Sequence, residues 1–289
     1  MDHHNKTILV LGARGLFGHT LYAYLKTHCK QNVMGTSRSH HKNLLVCTED
    51  NLDSIFLSVS PISYVINCTA VLPTTKPKQS EKIFSAINTS LPLTIANMAE
   101  AGQFRFFHIS TDGVFPPTSG PIDEKVLPTP TDLYGKTKLS GEPNSACALT
   151  IRSSIVGFDP IHHHGLLEWI VQSKEKSIHG YTNQLWSGCT SLQLAQYIHW
   201  IIQQNRFDEF RSLSPVIHFA PLGPIRKYDL VEALIDLKQT EKAQLIPSKG
   251  PPIQRYLISR YTTQMHMKPY KTSMKNALAT LIKFENHII

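Results

Sequence analysis

Tyr134 and Lys138 stand four residues apart in "DLYGKTKLSGE". On a helix, that spacing puts two side chains on one face, a turn apart. A lysine ammonium beside a phenol favours the phenolate and lowers the tyrosine pKa towards a useful range. A phenol tuned in this way can pass a proton to a carbonyl oxygen as hydride reaches the carbonyl carbon. Upstream, "STDGVF" (110–115) follows the apolar run "RFFHI" and supplies Thr111. Its hydroxyl can bond the same carbonyl oxygen and hold it still.

These groups need a scaffold and a hydride source. The stretch "ILVLGARGLFGHTL" reads strand, turn, helix, with Gly12, Gly15 and Gly18 spaced G-x-x-G-x-x-G. Gly12 permits the tight turn, Gly15 lets backbone approach a pyrophosphate, and Gly18 lets the helix pack on the strand. Leu16 and Phe17 complete this loop, and the helix N-terminus offers N–H donors to the anion. An NAD site usually carries an acid about 20 residues on. Here that position reads "GTSRS", with Ser37 and Arg38 and no carboxylate. Arg14 can reach the same place, and two guanidiniums with a hydroxyl suit a ribose 2′-phosphate. The expected cofactor is NADP(H) rather than NAD(H). Asp50, read as ending the third strand, is a candidate adenine contact.

The first half alternates apolar runs at 7–11, 32–36, 44–47, 64–68, 104–109 and 148–152 with helical patterns at 17–28, 51–58 and 80–101. That alternation predicts an α/β fold of the Rossmann type, a doubly wound parallel sheet with helices on both faces. Pro92 should kink the third helix or mark its start. Later helical patterns fall at 166–174, 191–204, 228–237 and 272–284, with a strand at 216–220 and Pro- and Gly-rich loops at 157–165 and 248–253. A smaller mixed α/β substrate lobe is expected from 157–187 and 223–289. The dinucleotide domain would take 1–156 and 188–222.

Taken together, the chain resembles the extended short-chain dehydrogenase/reductases. Within them it is most similar to the dTDP-4-dehydrorhamnose reductase group of sugar-nucleotide reductases. The segments that carry the likeness are "ILVLGARGLFG", "VINCTAV", "ISTDGVF", "DLYGKTKLSGE", "TIRSSIVG" and "GYTNQLWSGCTSLQLA", with "KYDLVEAL" beyond them. The resemblance implies a catalytic set of Thr111, Tyr134 and Lys138, with Lys138 also bonding the nicotinamide ribose. Cys68, Thr69, Ala70, Val71 and Ser110 would line the cofactor. Asp112 and Val114 would face the sugar, and Asn183 and Trp186 would sit in the substrate lobe. The group commonly has tyrosine after "STD" and an aromatic after "RSS"; this chain has Gly113 and Ile155 there. Both positions lie where the sugar would sit.

Three functions fit this set. One is an NADPH-dependent reductase of a nucleotide-linked 4-keto-6-deoxysugar, serving surface polysaccharide synthesis. A second is a sugar-nucleotide epimerase on the same scaffold. A third is a non-catalytic, NADP-binding regulatory subunit. Gly113 stands where dehydrating relatives carry a second carboxylate, which argues against dehydration.

The chain carries a formal charge of +8 over 289 residues, but its Lys and Arg residues form no run. Phosphate-bearing small molecules suit that dispersed charge better than nucleic acid does. No apolar run approaches the ~20 residues of a membrane helix. Five scattered cysteines without a C-x-x-C pair argue for reduced thiols in the cytoplasm. A homodimer is a further expectation. The histidines at 162–164 are read as incidental loop residues rather than metal ligands. Trp169 is expected in the core, on a stripe with Leu166, Leu167 and Ile170. Arg152 can orient the substrate loop or pair with a helix carboxylate. Arg226, Lys227 and Arg255 are candidates for the diphosphate.

Overall fold

The computed structural model describes residues 6–288, apart from 76, 162, 164, 174, 238–242 and 267–269. Its first half is built from β1 (Thr7–Leu11), α1 (Gly18–His28), β2 (Asn32–Ser37), β3 (Leu45–Val46), α2 (Leu52–Ser58), β4 (Ile62–Asn67), α3 (Glu81–Ser85), α4 (Leu91–Gly102), β5 (Arg105–Thr111), α5 (Leu133–Ser140) and β6 (Ala148–Ser153). Every residue of β1, β4 and β6 is buried, as expected for central strands of a parallel sheet covered on both faces.

The second half holds β7 (Ile155–Val156), α6 (Leu166–Gln172), β8 (Ser177–Tyr181), β9 (Leu185–Ser187), β10 (Cys189–Thr190), α7 (Ser191–Gln203), α8 (Phe207–Leu213), β11 (Val216–His218), β12 (Pro224–Arg226), α9 (Lys227–Leu237), β13 (Gln244–Ser248) and α10 (Met274–Ile288). Seven strands form one sheet in the order β11-β6-β5-β4-β1-β2-β3, all paired in parallel. This is the Rossmann-type fold. The strand order reverses between β1 and β4, and ligands bind such sheets at the carboxyl ends beside that switch point. The turns after β1 and β4 and the end of β5 all lie along this one edge.

Three two-stranded pairs stand apart from the large sheet: β7 with β10, β9 with β12, and β8 with β13. Strands of two to five residues carry too little alternation to be read in advance. The chain returns to the large sheet at β11, which lies beside β6.

The helix expected over 80–101 is interrupted. A π-helical turn at Ala86–Ser90 separates α3 from α4. Pro92, in the first turn of α4, has no N–H for the α-helical bond to residue 88, so the preceding turn widens. Trp169 does not join the core. Leu167 and Ile170 are buried, whereas Trp169 is 45% exposed, because the helical period carries it off their stripe.

Candidate functional site

The glycine turn is shaped for close approach. Gly12 has φ +75°, a region that L side chains rarely adopt, and a Cβ on Gly18 would fall 2.1 Å from the Gly12 carbonyl oxygen. Gly15 is different. A Cβ there would meet only that same oxygen, at 3.5 Å, so this side of the turn is open. Open backbone at the start of a helix is the kind of surface that suits an anion. Arg14 reaches from the turn to the end of β2, where Nη1 donates to Ser39 Oγ at 3.4 Å. Arg38 is exposed beside it. The Ser37 hydroxyl donates to the Ser39 carbonyl. The donor set around β2 is therefore cationic, with no carboxylate in these contacts, and it suits a 2′-phosphate.

At the end of β5, Thr111 caps the short turn Asp112–Val114, accepting from Gly113 N at 3.0 Å. Asp132 caps α5, accepting from Gly135 N at 2.7 Å. A Cβ on Gly135 would lie 2.3 Å from the Gly113 carbonyl oxygen. Only glycine lets α5 start this close to the strand end. The close approach seats half-buried Tyr134 beside the Thr111 side chain, both lying against Gly113.

Lys138 follows one turn later, and here the structure corrects the simple reading of the spacing. The Lys138 side chain is engaged on β5 rather than bonded to the phenol. Its Nζ donates to the Ile109 carbonyl at 2.7 Å and lies 3.4 Å from His108 Nε2. Burial pushes Tyr134 up to about 12; Asp112 and Asp132 add to the rise, while Thr111 and Arg255 oppose it. The phenol is therefore a protonated donor rather than a phenolate. Lys138 itself is drawn down by burial to about 8.

Asn88, which the sequence reading passed over, ties the parts together. It is fully buried in the π-helical turn. Val71 N donates to its Oδ1 at 2.8 Å, and its Nδ2 donates to Val71 O at 3.0 Å and to Thr137 Oγ1 at 3.2 Å. The segment after β4 is thereby fastened to α5. The signal lay in Pro92, four residues on, which unsettles the helix at Asn88.

Cys68 and Thr69 are half-buried and Ala70 is exposed, and Thr69 packs against Gly12 across the β1–β4 edge. Val71 differs from its expected role. It is 2% exposed, and its backbone is occupied by Asn88, so it anchors the segment rather than lining a cleft. Leu16 packs close to Gly157, and Phe17 is buried in the core just before α1. Asp50 does not end a strand; β3 stops at Val46, and Asp50 is exposed on the turn Glu49–Asn51.

Several other expectations are corrected by contacts. Ser110 donates to Glu142 Oε1 at 2.6 Å, which commits its hydroxyl to that carboxylate rather than to a cofactor. Arg152 binds the same carboxylate, just past the end of α5, through two bonds of 2.8 and 2.6 Å, so it pairs with a carboxylate, though not with one on a helix as expected. Val114 is fully buried in a cluster with Phe115, Ile122 and Leu257, out of reach of a sugar. Asp112 is buried and paired with Arg255 Nε at 3.3 Å, and Arg255 also donates to Phe115 O at 3.1 Å. Arg226 pairs with Asp229 on an exposed face. Lys227 is half-buried and feels the charges of Arg255 and Asp112.

In the second half, Asn183 is spent on structure. It donates to Gly250 O at 2.6 Å and accepts from Gly250 N at 3.0 Å, stapling the 248–253 loop. Trp186 is half-buried, and its Nε1 donates to Ser154 Oγ at 2.7 Å, beside half-buried Ile155. These two keep a position bordering the strand ends. Of the histidine run, 162 and 164 lie outside the described residues. Among the described residues, no group of three or more His, Cys, Asp or Glu side chains could hold a metal ion, and no helix is long and apolar enough to cross a membrane.

Comparison with known proteins agrees with this geometry. The methionine adenosyltransferase 2 subunit beta of Danio rerio is 24% identical over 263 residues, covering 86% of this chain and 78% of the relative. The dTDP-4-dehydrorhamnose reductase of Clostridium acetobutylicum superposes with a TM-score of 0.76 at 20% identity, covering 97% of this chain and 99% of the other. The dTDP-4-dehydrorhamnose reductase of Bacillus anthracis, solved in complex with NADP, also reaches 0.76, at 17% identity, over 96% and 99% of the two chains. A family model, described as the RmlD substrate binding domain, matches residues 6–280. With the glycine turn, the Thr111–Tyr134 contact and nearly the whole length falling inside that match, the chain belongs to the RmlD family.

Proposed function

We propose that this protein is an NADPH-dependent reductase acting on a nucleotide-linked 4-keto-6-deoxysugar. The observation that carries the reading is the placement of Tyr134 beside Thr111 at the carboxyl end of β5. When bound, NADPH supplies hydride to the carbonyl carbon. Gly12, Gly15, Gly18 and the α1 N-terminus would hold its pyrophosphate, and Arg14, Ser37 and Arg38 its 2′-phosphate. The residues of the chain do the acid–base work. Tyr134 holds a proton across the neutral range, because burial makes its phenol a weak acid. As negative charge develops on the carbonyl oxygen, that oxygen becomes basic enough to take the proton from Tyr134. Thr111 fixes the oxygen in line, already braced by Gly113 N. Arg255 and half-buried Lys227, beside Asp112, give this part of the site a surplus of positive charge, which suits an anionic sugar nucleotide. The likeness to reductases named for dTDP-4-dehydrorhamnose supports the substrate class, and the neighbour solved with NADP supports the cofactor. A place in surface polysaccharide synthesis, in the cytoplasm, belongs to the same proposal.

The likeness to a methionine adenosyltransferase subunit favours a second reading, a cofactor-binding subunit that regulates a partner enzyme. One experiment separates the two. NADPH absorbance is followed against a panel of keto-sugar nucleotides, with products read by NMR. The reductase reading expects stoichiometric NADPH loss with at least one member. Tight NADPH binding without loss across the panel would favour the subunit.

A further inference from the structure

Behind the glycine turn, α1 and α10 meet in a buried polar cluster that the proposed mechanism does not use. Glu285, in the last turn of α10, is 2% exposed. Its Oε1 accepts from Thr20 Oγ1 at 2.8 Å, and its Oε2 lies 3.0 Å from His19 Nε2. The second ring nitrogen of His19, Nδ1, lies 3.0 Å from the Gly15 carbonyl oxygen. A carboxylate and a carbonyl only accept, so each ring nitrogen must bring a proton, and the ring that satisfies both is an imidazolium. Each charge is misplaced on its own helix. A cation in the first turn of α1 opposes that helix's dipole, and a carboxylate in the last turn of α10 opposes the other. Across the two helices they compensate each other as a pair. The helix α10 is itself fixed to the second half of the chain, where Leu278 and Leu281 pack in one core with Leu234 of α9 and Ile170 of α6.

We propose that His19 is a positioning residue for the dinucleotide turn: gripped by Glu285 as an imidazolium, it braces the Gly15 carbonyl and makes cofactor binding proton-linked. The claim rests on the reading that this turn holds NADP(H), and not on the reduction. The Gly15 carbonyl already accepts the helical N–H of His19 at 3.0 Å. The ring adds a second bond to the same oxygen, so both of its lone pairs are used within α1. Several groups bear on the ring. Burial opposes its charge, whereas the bond and charge of Glu285 on α10, the Gly15 carbonyl, and Asp159 from the loop after β7 favour it and prevail. When His19 gives up its proton, the buried Glu285 carboxylate is left uncompensated behind the turn. One unit of positive charge is then lost where an anion is to bind, so cofactor affinity falls as pH rises through the His19 midpoint. Through Glu285, the packing of the second half thus reaches the turn that holds the cofactor.

The test reads histidine NMR and NADP+ binding on the whole chain, without turnover. Nitrogen-15 histidine spectra, with His19 assigned by its loss in His19→Gln, give its titration midpoint, which should lie above 6.5. Saturating NADP+ should raise that midpoint by about 0.7 pH unit. By reciprocity, the Kd for NADP+ should rise about fivefold as pH passes through it, the size expected of one charge at a helix terminus. Lys138 titrates at about 8, so the step is assigned by comparison with variants. In His19→Gln it should vanish, leaving the weaker affinity. In His19→Arg, whose cation does not titrate in this range, it should vanish with the tighter affinity kept, which loss of packing alone would not produce. A wild-type midpoint that NADP+ leaves unmoved overturns the proposal, as does a fivefold step that persists in His19→Gln. If His19→Gln does not fold, His19→Arg supplies the assignment and the NADP+-induced shift in the wild type decides alone. Absence of NADP+ binding at every pH would remove the cofactor reading together with this proposal, whereas binding with an unmoved midpoint removes this proposal only.

Discussion

Replacing Asn88 with alanine should loosen the site and the fold together. The side chain makes three hydrogen bonds, two to the backbone of Val71 and one to Thr137. Val71 is 2% exposed, so its N–H and C=O have little access to water when Asn88 is shortened. Each buried backbone group left unpaired costs about 1–3 kcal/mol, which makes about 4 kcal/mol for the two. At about 2 °C per kcal/mol for a chain of this size, the melting midpoint should fall by roughly 8 °C. Thermal denaturation followed by circular dichroism measures this directly. NADPH titration of the folded variant should show weaker binding, since the segment from Cys68 to Val71 loses its tether to α5. A midpoint within about 2 °C of the wild type would refute the clamp, because it would mean that water or a relaxed backbone satisfies Val71.

Tyr134→Phe should fold and bind NADPH yet lose turnover by about 10²–10⁴-fold, the range for removing a general acid; stopped-flow NADPH oxidation reads it, and wild-type turnover would exclude the role. Arg38→Asp should weaken NADPH relative to NADH by roughly tenfold or more, as expected for loss of a charge-assisted contact, and isothermal titration with both cofactors checks the ratio. Stability should also depend on pH through His19. Burial pulls its pKa down, but the hydrogen bond and charge of Glu285 outweigh that and leave it raised above 6.5. A raised histidine stabilises fully below its unfolded pKa, and the contribution is lost as pH rises through the folded value. Melts between about pH 6 and about pH 9 should therefore show a decline on the alkaline side that His19→Gln flattens.

Much of the site was legible because its chemistry uses local patterns. The glycine spacing, the Thr111 strand end and the Tyr134–Lys138 step are short-range features, and the structure brings them to one sheet edge. What escaped was set by partners distant in sequence. Lys138 was assigned to the phenol from helical spacing, yet a carbonyl and an imidazole on β5 claim it instead. Val114 and Asn183 sat in matching motifs, but tertiary packing buried the first and a loop backbone engaged the second. Asn88 had no chemical pattern around it at all. Its importance comes from a break in helical hydrogen bonding that only Pro92 hinted at. In the second half, two- and three-residue strands formed where the sequence has no periodicity long enough to count.

Ser110 and Thr111 are neighbours on β5 with opposed duties. Ser110 is set directly across from Arg152 in the sheet, and Glu142 grips both. A slide of β5 by a single residue would break this pairing: in one direction Thr111 would enter the buried ion pair and Asp112 would meet the phenol, and in the other Ser110 would meet the phenol and Ile109 would face the ion pair. The carboxylate of Glu142 therefore acts as a detent: it rewards one alignment of two central strands and penalises the next. The accuracy with which a proton donor meets its target on one side of the sheet is then guaranteed by a charge pair on the other.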